Sequence, residues 1–317
     1  MGTVLVTGGA GHLGVYVVRS LADAGEQVVM TYRRYFSAPQ LLSDVMESKV
    51  KAVRCDVLDL PELSRVIRDH GVDSIVHLAN TSNYEAPIYT CLQTNVLGTI
   101  NVMEAAAIGS VKKVTYMSSS TVTHGPGGYT GPESELVDIA SPPVGVVPPS
   151  KKVGEVLSLN YGASFGIPVI IVRTGGNFWG PFKEGPIGQA GLLRDVMEGV
   201  TMGKPVNLPG SSREDEFRII FVRDMADGIS LVHTASQNQH LVYCVTEKEP
   251  TNWGEIAEII KEFVLGAKIT FGKSSQPTKA QMLSEELNIT SEFGFKSKCG
   301  LRGGLREYIE WYQNGKP

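Results

Sequence analysis

Three short stretches of this 317-residue chain bring together residue types that can do chemistry. The first is Thr7-Gly8-Gly9-Ala10-Gly11-His12-Leu13-Gly14, directly after the apolar run Val4-Leu5-Val6. Glycines at 8, 11 and 14 between a strand and a helix allow a tight turn, close approach of backbone amides to a pyrophosphate, and close helix–strand packing. His12 and Leu13 then fall in the first helical turn, where free amides face an anion. The second stretch is Ser118-Ser119-Ser120, hydroxyls that close an apolar run, and the third is Ser150-Lys151, at the head of a helical one. A positioned hydroxyl and amine can hold a substrate oxygen and exchange a proton with it. Each has a plainer reading: serines at a strand end satisfy backbone groups, and a first-turn lysine is often a surface charge. His124 and Tyr129 in the loop after the serines, and Tyr84 in an earlier loop, are further proton-exchanging groups, His124 foremost because imidazole titrates near neutrality. Glu133 and Glu135, among Pro and Gly neighbours, read as solvated.

These groups need a scaffold, and the periodicity supplies one. Short apolar runs at Val4–Val6, Gln27–Thr31, Val50–Arg54, Ser74–Ala79, Lys113–Met117 and Val169–Arg173 alternate with helical patterns at Val15–Ala24, Leu60–His70, Thr90–Gly109 and Ser150–Phe165. That alternation predicts an α/β fold, a doubly wound parallel sheet of the Rossmann type with a smaller C-terminal substrate lobe. The expected division is residues 1–175 for the dinucleotide-binding domain, with a return segment near 217–245, and residues 176–216 and 246–317 for the lobe. Phe217–Phe221 and Leu241–Val245 are expected as strands of the main sheet, and the last stretch as amphipathic helix ending in Leu305–Tyr312. Ligands of such folds bind at the carboxyl ends of the strands.

Charge and composition narrow the partners. A net charge of −4 without a basic cluster argues against nucleic acid. Four scattered cysteines (Cys55, Cys91, Cys244, Cys299), with no CxxC pair, suit reduced thiols and no metal site. The first residues lack a basic n-region, and no apolar run reaches the roughly 18 residues of a membrane span. The expectation is a cytoplasmic protein with a small-molecule substrate and no membrane partner.

The end of the second strand selects the adenosine ribose. An acidic residue there favours NAD through the 2′-hydroxyl. This chain has Tyr32-Arg33-Arg34 and no carboxylate, so NADP is favoured over NAD, guanidinium being suited to a 2′-phosphate.

Taken together, these motifs resemble the extended short-chain dehydrogenase/reductase family, the group of NAD(P)-dependent epimerases and dehydratases that act on sugar nucleotides. Besides the glycine fingerprint, Cys55-Asp56-Val57 resembles the pair that contacts adenine, and Val76-His77-Leu78-Ala79 the strand end beside the cofactor ribose. Asn95-Val96-Leu97-Gly98-Thr99 matches the helix motif NxxGT. Tyr116-Met117-Ser118-Ser119-Ser120-Thr121-Val122 matches the strand of the catalytic serine, aligned on Ser119. Ser150-Lys151 with Glu155 matches the active-site helix, Arg173 to Pro181 the substrate loop, and Phe221 to Ala226 the later YVDDVA segment. The resemblance implies cofactor contacts from Asp56, Val57, Leu78, Ala79, Asn95, Lys151 and Thr174, and substrate contacts from Tyr84, Ser119, Ser120 and Asn177. It also implies a homodimer through the helices Thr90–Gly109 and Ser150–Phe165, with Val96, Ile100, Val153 and Leu157 on their apolar faces.

The chain departs from the family at one decisive position. Four residues before Lys151 the family has a tyrosine that passes the proton, and here stands Val147, followed by Pro148 and Pro149. The residue before a proline is steered from α geometry, so Val147 and Pro148 are expected extended, with the helix beginning at about Pro149. Three readings follow. One is an oxidoreductase or epimerase with non-standard proton transfer through Ser119, Lys151, His124 or Tyr129. The second is a non-redox lyase or isomerase on the same scaffold, and the third a non-catalytic dinucleotide sensor.

Overall fold

The computed structural model describes residues 2–82, 86–123, 145–182, 189–274 and 289–315. In chain order its elements are β1 (Thr3–Thr7), α1 (His12–Asp23), β2 (Gln27–Tyr32), β3 (Val50–Arg54), α2 (Leu60–Asp69), β4 (Ser74–His77), α3 (Ile88–Leu92), α4 (Gly98–Ile108), β5 (Lys113–Ser119), α5 (Val147–Phe165) and β6 (Val169–Thr174). There follow β7 (Asn177–Trp179), α6 (Gln189–Thr201), β8 (Val206–Leu208), β9 (Glu216–Phe217), β10 (Ile219–Phe221), α7 (Val222–Thr234), β11 (Val242–Val245), β12 (Thr251–Asn252), α8 (Trp253–Phe263), β13 (Ile269–Phe271), α9 (Ile289–Phe293) and α10 (Gly300–Gln313). Seven strands form one parallel sheet in the order β11-β6-β5-β4-β1-β2-β3, the doubly wound arrangement. Its strands are apolar on both faces, as in β2, where Val28, Val29 and Met30 are all buried, because helices cover both sides. Leu5, Val29, Ile75, Val114 and Ile171 meet Leu63 and Ile67 of α2 and Val102 and Met103 of α4 in one core. Each such side chain contributes roughly 1.5–3 kcal/mol when fully buried.

Local signals fix the helices that matter for the site. Asp59 caps α2 by accepting from Glu62 N (2.9 Å), and Asn252 caps α8 by accepting from Glu255 N (2.9 Å). The start of α5 differs from expectation. Val147 and Pro148 are helical, so the helix begins two residues before Pro149. Both prolines lie in the first turn, where no amide donor is needed, and Val146 already has α geometry (φ −91°, ψ −25°). The long helix expected over Thr90–Gly109 begins at Ile88 and is broken by a π turn at Gln93–Leu97. β5 runs on through Ser118 and Ser119.

The chain divides into two compact units. One comprises Met1–Thr174, Ala226–Val245 and Ser284–Gly294, the other Gly175–Met225, Thr246–Leu283 and Phe295–Pro317. Leu241–Val245 supplies β11 of the main sheet, but Phe217–Phe221 does not join it. β9 pairs antiparallel with β12, and β10 runs parallel to β7, each in a two-stranded sheet of the second unit. Arg218 interrupts the run, its guanidinium donating to the carbonyls of Glu247 and Lys248. The last stretch also holds a strand, β13, paired with β8, before its final helix.

Candidate active site

The loop after β1 is shaped by its glycines. Gly8 has φ +69°, and a Cβ there would lie 2.8 Å from the Ala79 backbone. A Cβ on Gly14 would lie 2.3 Å from the Gly8 carbonyl oxygen, so α1 can pack this closely only with glycine. Gly11 caps α1 without a side-chain bond, and the first turn holds no acid, which suits the positive end of the helix to an anion. These residues fit a dinucleotide pyrophosphate.

A hydrogen-bonded chain runs from this loop to the head of α5. Thr99 Oγ1 donates to the Asn95 carbonyl (2.7 Å), so it accepts from His77 Nε2 (3.0 Å), and His77 Nδ1 accepts from Thr7 Oγ1 (2.6 Å). Burial, with the charge of Lys151 adding to it, pushes the His77 imidazole down to about 3, so it stays neutral. The π turn gives Asn95 its position: Oδ1 accepts from Thr81 N (2.8 Å), and Nδ2 donates to Thr81 O (2.9 Å) and Ser150 Oγ (3.2 Å). Ser150 Oγ in turn donates to Val147 O at 3.0 Å.

Lys151 points inward from the next position. It is 7% exposed, its Nζ donates to Met117 O at 2.6 Å, and it lies 5.0 Å from the Tyr116 ring centroid. Burial lowers its amine to about 8, against the opposing pull of Glu155. Glu155 is held by Arg173 through a buried two-point pair at 2.8 and 2.7 Å. Ser119 Oγ, at the end of β5, accepts from Thr121 N (3.3 Å) and Thr121 Oγ1 (3.0 Å). A half-buried hydroxyl and a buried amine lowered to about 8 thus stand at the carboxyl end of β5 and the head of α5. The first turn of α5 offers Val147, half-buried, and no proton-bearing side chain beside Ser150 and Lys151.

Residues 4–245 match the NAD dependent epimerase/dehydratase family. The chain belongs to that family. The dTDP-glucose 4,6-dehydratase of Salmonella typhimurium is 25% identical, the alignment covering 98% of this chain and 92% of the relative. The crystal structure of Thermus thermophilus UDP-glucose 4-epimerase, a complex with NAD, superposes with a TM-score of 0.76 at 25% identity, covering 99% of each chain. A UDP-N-acetylglucosamine 4-epimerase from Methanobrevibacter ruminantium, at 20% identity and TM-score 0.82 over 99% of this chain and 98% of the other, shares the fold.

Within this epimerase/dehydratase scaffold the expected site residues fall as follows. Gly8, Gly11, His12, Leu13 and Gly14 form the first-turn cradle, with Leu78 and Ala79 beside it after β4. Tyr32 ends β2 with its ring stacked on Phe36 at 5.6 Å, and Arg33 and Arg34 follow, exposed. Asp56 accepts from Leu58 N at 3.0 Å, and Val57 is buried against Gly98. Thr174 closes β6, Ser120 begins a 3-10 turn, and Asn177 lies exposed at the start of β7 in the second unit. Tyr84, His124 and Tyr129 lie outside the described residues. Sequence reasoning passed over Thr7, His77 and Thr99, whose signal was the polar residue at each strand or helix end, and over Met117, which acts through its carbonyl and leaves no side-chain signal. Among the described residues no cluster could hold a metal ion, and no helix is long and apolar enough to cross a membrane.

Proposed function

We propose that the protein is a dinucleotide-dependent epimerase or dehydratase of nucleotide sugars in which Lys151 replaces the family's phenol as the proton-transfer group. A bound nicotinamide dinucleotide supplies hydride removal and return at a carbinol carbon. The chain's own task is the proton. As hydride leaves the carbon, the hydroxyl proton passes to neutral Lys151 and a carbonyl forms; on return the ammonium gives the proton back. The reading rests chiefly on the amine near 8, buried and held among the described residues by a single carbonyl, since an amine so poised both accepts and releases a proton near neutral pH. Ser119 Oγ holds the reacting oxygen. The sugar-nucleotide class is suggested by the relatives named above. NADP is preferred to NAD because Arg33 and Arg34, with no carboxylate, follow β2. A homodimer forms through α3–α4 and α5, whose exposed Leu92, Leu97, Val153 and Val156 lack cover. Val96, Ile100 and Leu157 are half-buried, and so lend that face less apolar area than a fully exposed stripe would.

The test is incubation with UDP-glucose and with dTDP-glucose in the presence of NADP or NAD, product being followed by NMR. The expected result is a new sugar nucleotide with wild type and none with Lys151→Met, although that variant still binds the dinucleotide. Undiminished product with Lys151→Met would refute the role of the amine. Dinucleotide binding without product in wild type, across both sugar nucleotides, would favour the sensor.

A further inference from the structure

At the far edge of the sheet, the ends of β2 and β3 stand side by side, with Tyr32 opposite Arg54 in the parallel register. Arg33, Arg34 and Arg54 line one cavity of about 500 Å³ together with Asp56, Asp59 and Glu62. Each of those carboxylates has a neighbour of its own. Asp56 accepts from Leu58 N (3.0 Å), Asp59 from Glu62 N (2.9 Å), and Glu62 faces Arg65 at 3.6 Å. No ion pair joins them to the three arginines. Among the described residues every other arginine pairs with a carboxylate, except Arg218, which donates to two carbonyls. Arg54 makes one bond, from Nε to Arg33 O (3.3 Å), which fixes its plane and leaves both terminal nitrogens uncommitted. The three carboxylates balance the charge of the cavity, but among the described residues none takes up the guanidinium donors, so the forks are open to an incoming anion.

We infer that Arg54 completes, with Arg33 and Arg34, a three-guanidinium receptor for a phosphate monoester, and that Arg54 confers selectivity for it. Guanidinium forks match phosphate oxygens two at a time, and three of them suit a dianion better than a single-charge carboxylate. The cavity lies beyond the carboxyl end of β2, where doubly wound folds hold the adenosine ribose. The ligand group is therefore the 2′-phosphate of an adenine dinucleotide. This assignment rests on the dinucleotide reading above. It adds a residue that neither the motif after β1 nor the Arg33-Arg34 pair points to, because only the register of β2 with β3 brings Arg54 to the cavity.

The experiment is calorimetric titration of the full chain with adenosine 2′,5′-bisphosphate and with 5′-AMP, which differ by the 2′-phosphate alone. Wild type should prefer the bisphosphate by about 10-fold or more, the scale of one or two charge-assisted hydrogen bonds. Arg54→Gln should lose most of that preference with 5′-AMP affinity unchanged, and Arg54→Lys, which keeps the charge without the fork, should recover only part. The preference should also fade as pH drops through about 6, where the phosphate loses its second charge. Melting curves check that each variant is folded. A preference intact in Arg54→Gln overturns the role of Arg54 and leaves the NADP reading standing. Equal binding of both nucleotides by wild type overturns the receptor and NADP selectivity together, with dinucleotide binding intact. Failure to bind either would sink the dinucleotide reading itself.

Discussion

Two lysines of the first unit are both drawn out of water, and they are treated differently. Lys113 opens β5, and its amine donates to Val232 O (3.2 Å), Ala235 O (3.1 Å) and Asn238 Oδ1 (2.8 Å). All three of its protons are taken, two of them by carbonyls at the end of α7 and just beyond it. Lys151, more deeply buried, donates to one carbonyl among the described residues. Burial lowers the pKa of both amines. An ammonium has three donors, and leaving them unmet in a dry site is costly. Lys113 is saturated, as suits a lysine kept for stability, whereas among the described residues Lys151 has one carbonyl and the Tyr116 ring, which leaves donors for a substrate. Arg173 makes the same contrast with a third solution: its buried charge is met by the two oxygens of Glu155.

The contrast breaks if Lys151 behaves like Lys113. Lys151→Met should lower turnover by about 10²–10⁴-fold, the usual loss of a positioned acid–base group, whereas Lys113→Met should leave it unchanged. Lys151→Met should also stabilise the fold. The amine falls from 10.5 to about 8, so near pH 7 the buried ammonium costs up to about 3 kcal/mol. The unfolded chain binds more protons between those values, so wild-type stability should rise with pH from about 8 to 10.5, and denaturant melts of Lys151→Met should lose that rise.

Glu155→Gln comes next. It strands the Arg173 charge in the interior and should cost about 3–5 kcal/mol in denaturant unfolding. Removing that carboxylate also removes the charge that holds the Lys151 amine up, so the amine should titrate below its wild-type value. Lys113→Met should cost less, about 1–3 kcal/mol, by orphaning acceptors at the end of α7. A further, pH-dependent effect comes from the neutral buried bases. His77 and His233 are both pushed down to about 3, chiefly by burial. Their unfolded forms take up protons first, so stability is full above about 6.5. It should fall by about 1.4 kcal/mol per histidine for each pH unit below that, down to about 3. Melts of His233→Asn against wild type between pH 7 and 5 check the slope.

The sheet was legible because each strand of the first half is an apolar run between helix-period segments, and the loop after β1 because glycine is the only residue that fits against Ala79 and Gly8. The head of α5 was not. A rule about residues before proline competes there with the tolerance of a first helical turn for missing amides, and the second wins. Phe217–Phe221 misled for another reason. An apolar run says that a strand is buried, not which strand it pairs with, and Arg218 divides this one between two small sheets. The π turn at Asn95 and the approach of Arg54 to Arg33 depend on contacts between distant segments. The Lys151–Met117 bond is invisible in sequence because its acceptor is backbone.

The most direct test of the Lys151 account is the pH dependence of kcat/KM for sugar-nucleotide conversion by wild type and Glu155→Gln, measured under conditions where both remain folded. The account predicts a limb that rises with pH through about 8 in wild type and moves to lower pH in Glu155→Gln. A limb at the same pH in both proteins would contradict it, because the titrating group would then lie outside the reach of the Glu155 charge and could not be Lys151.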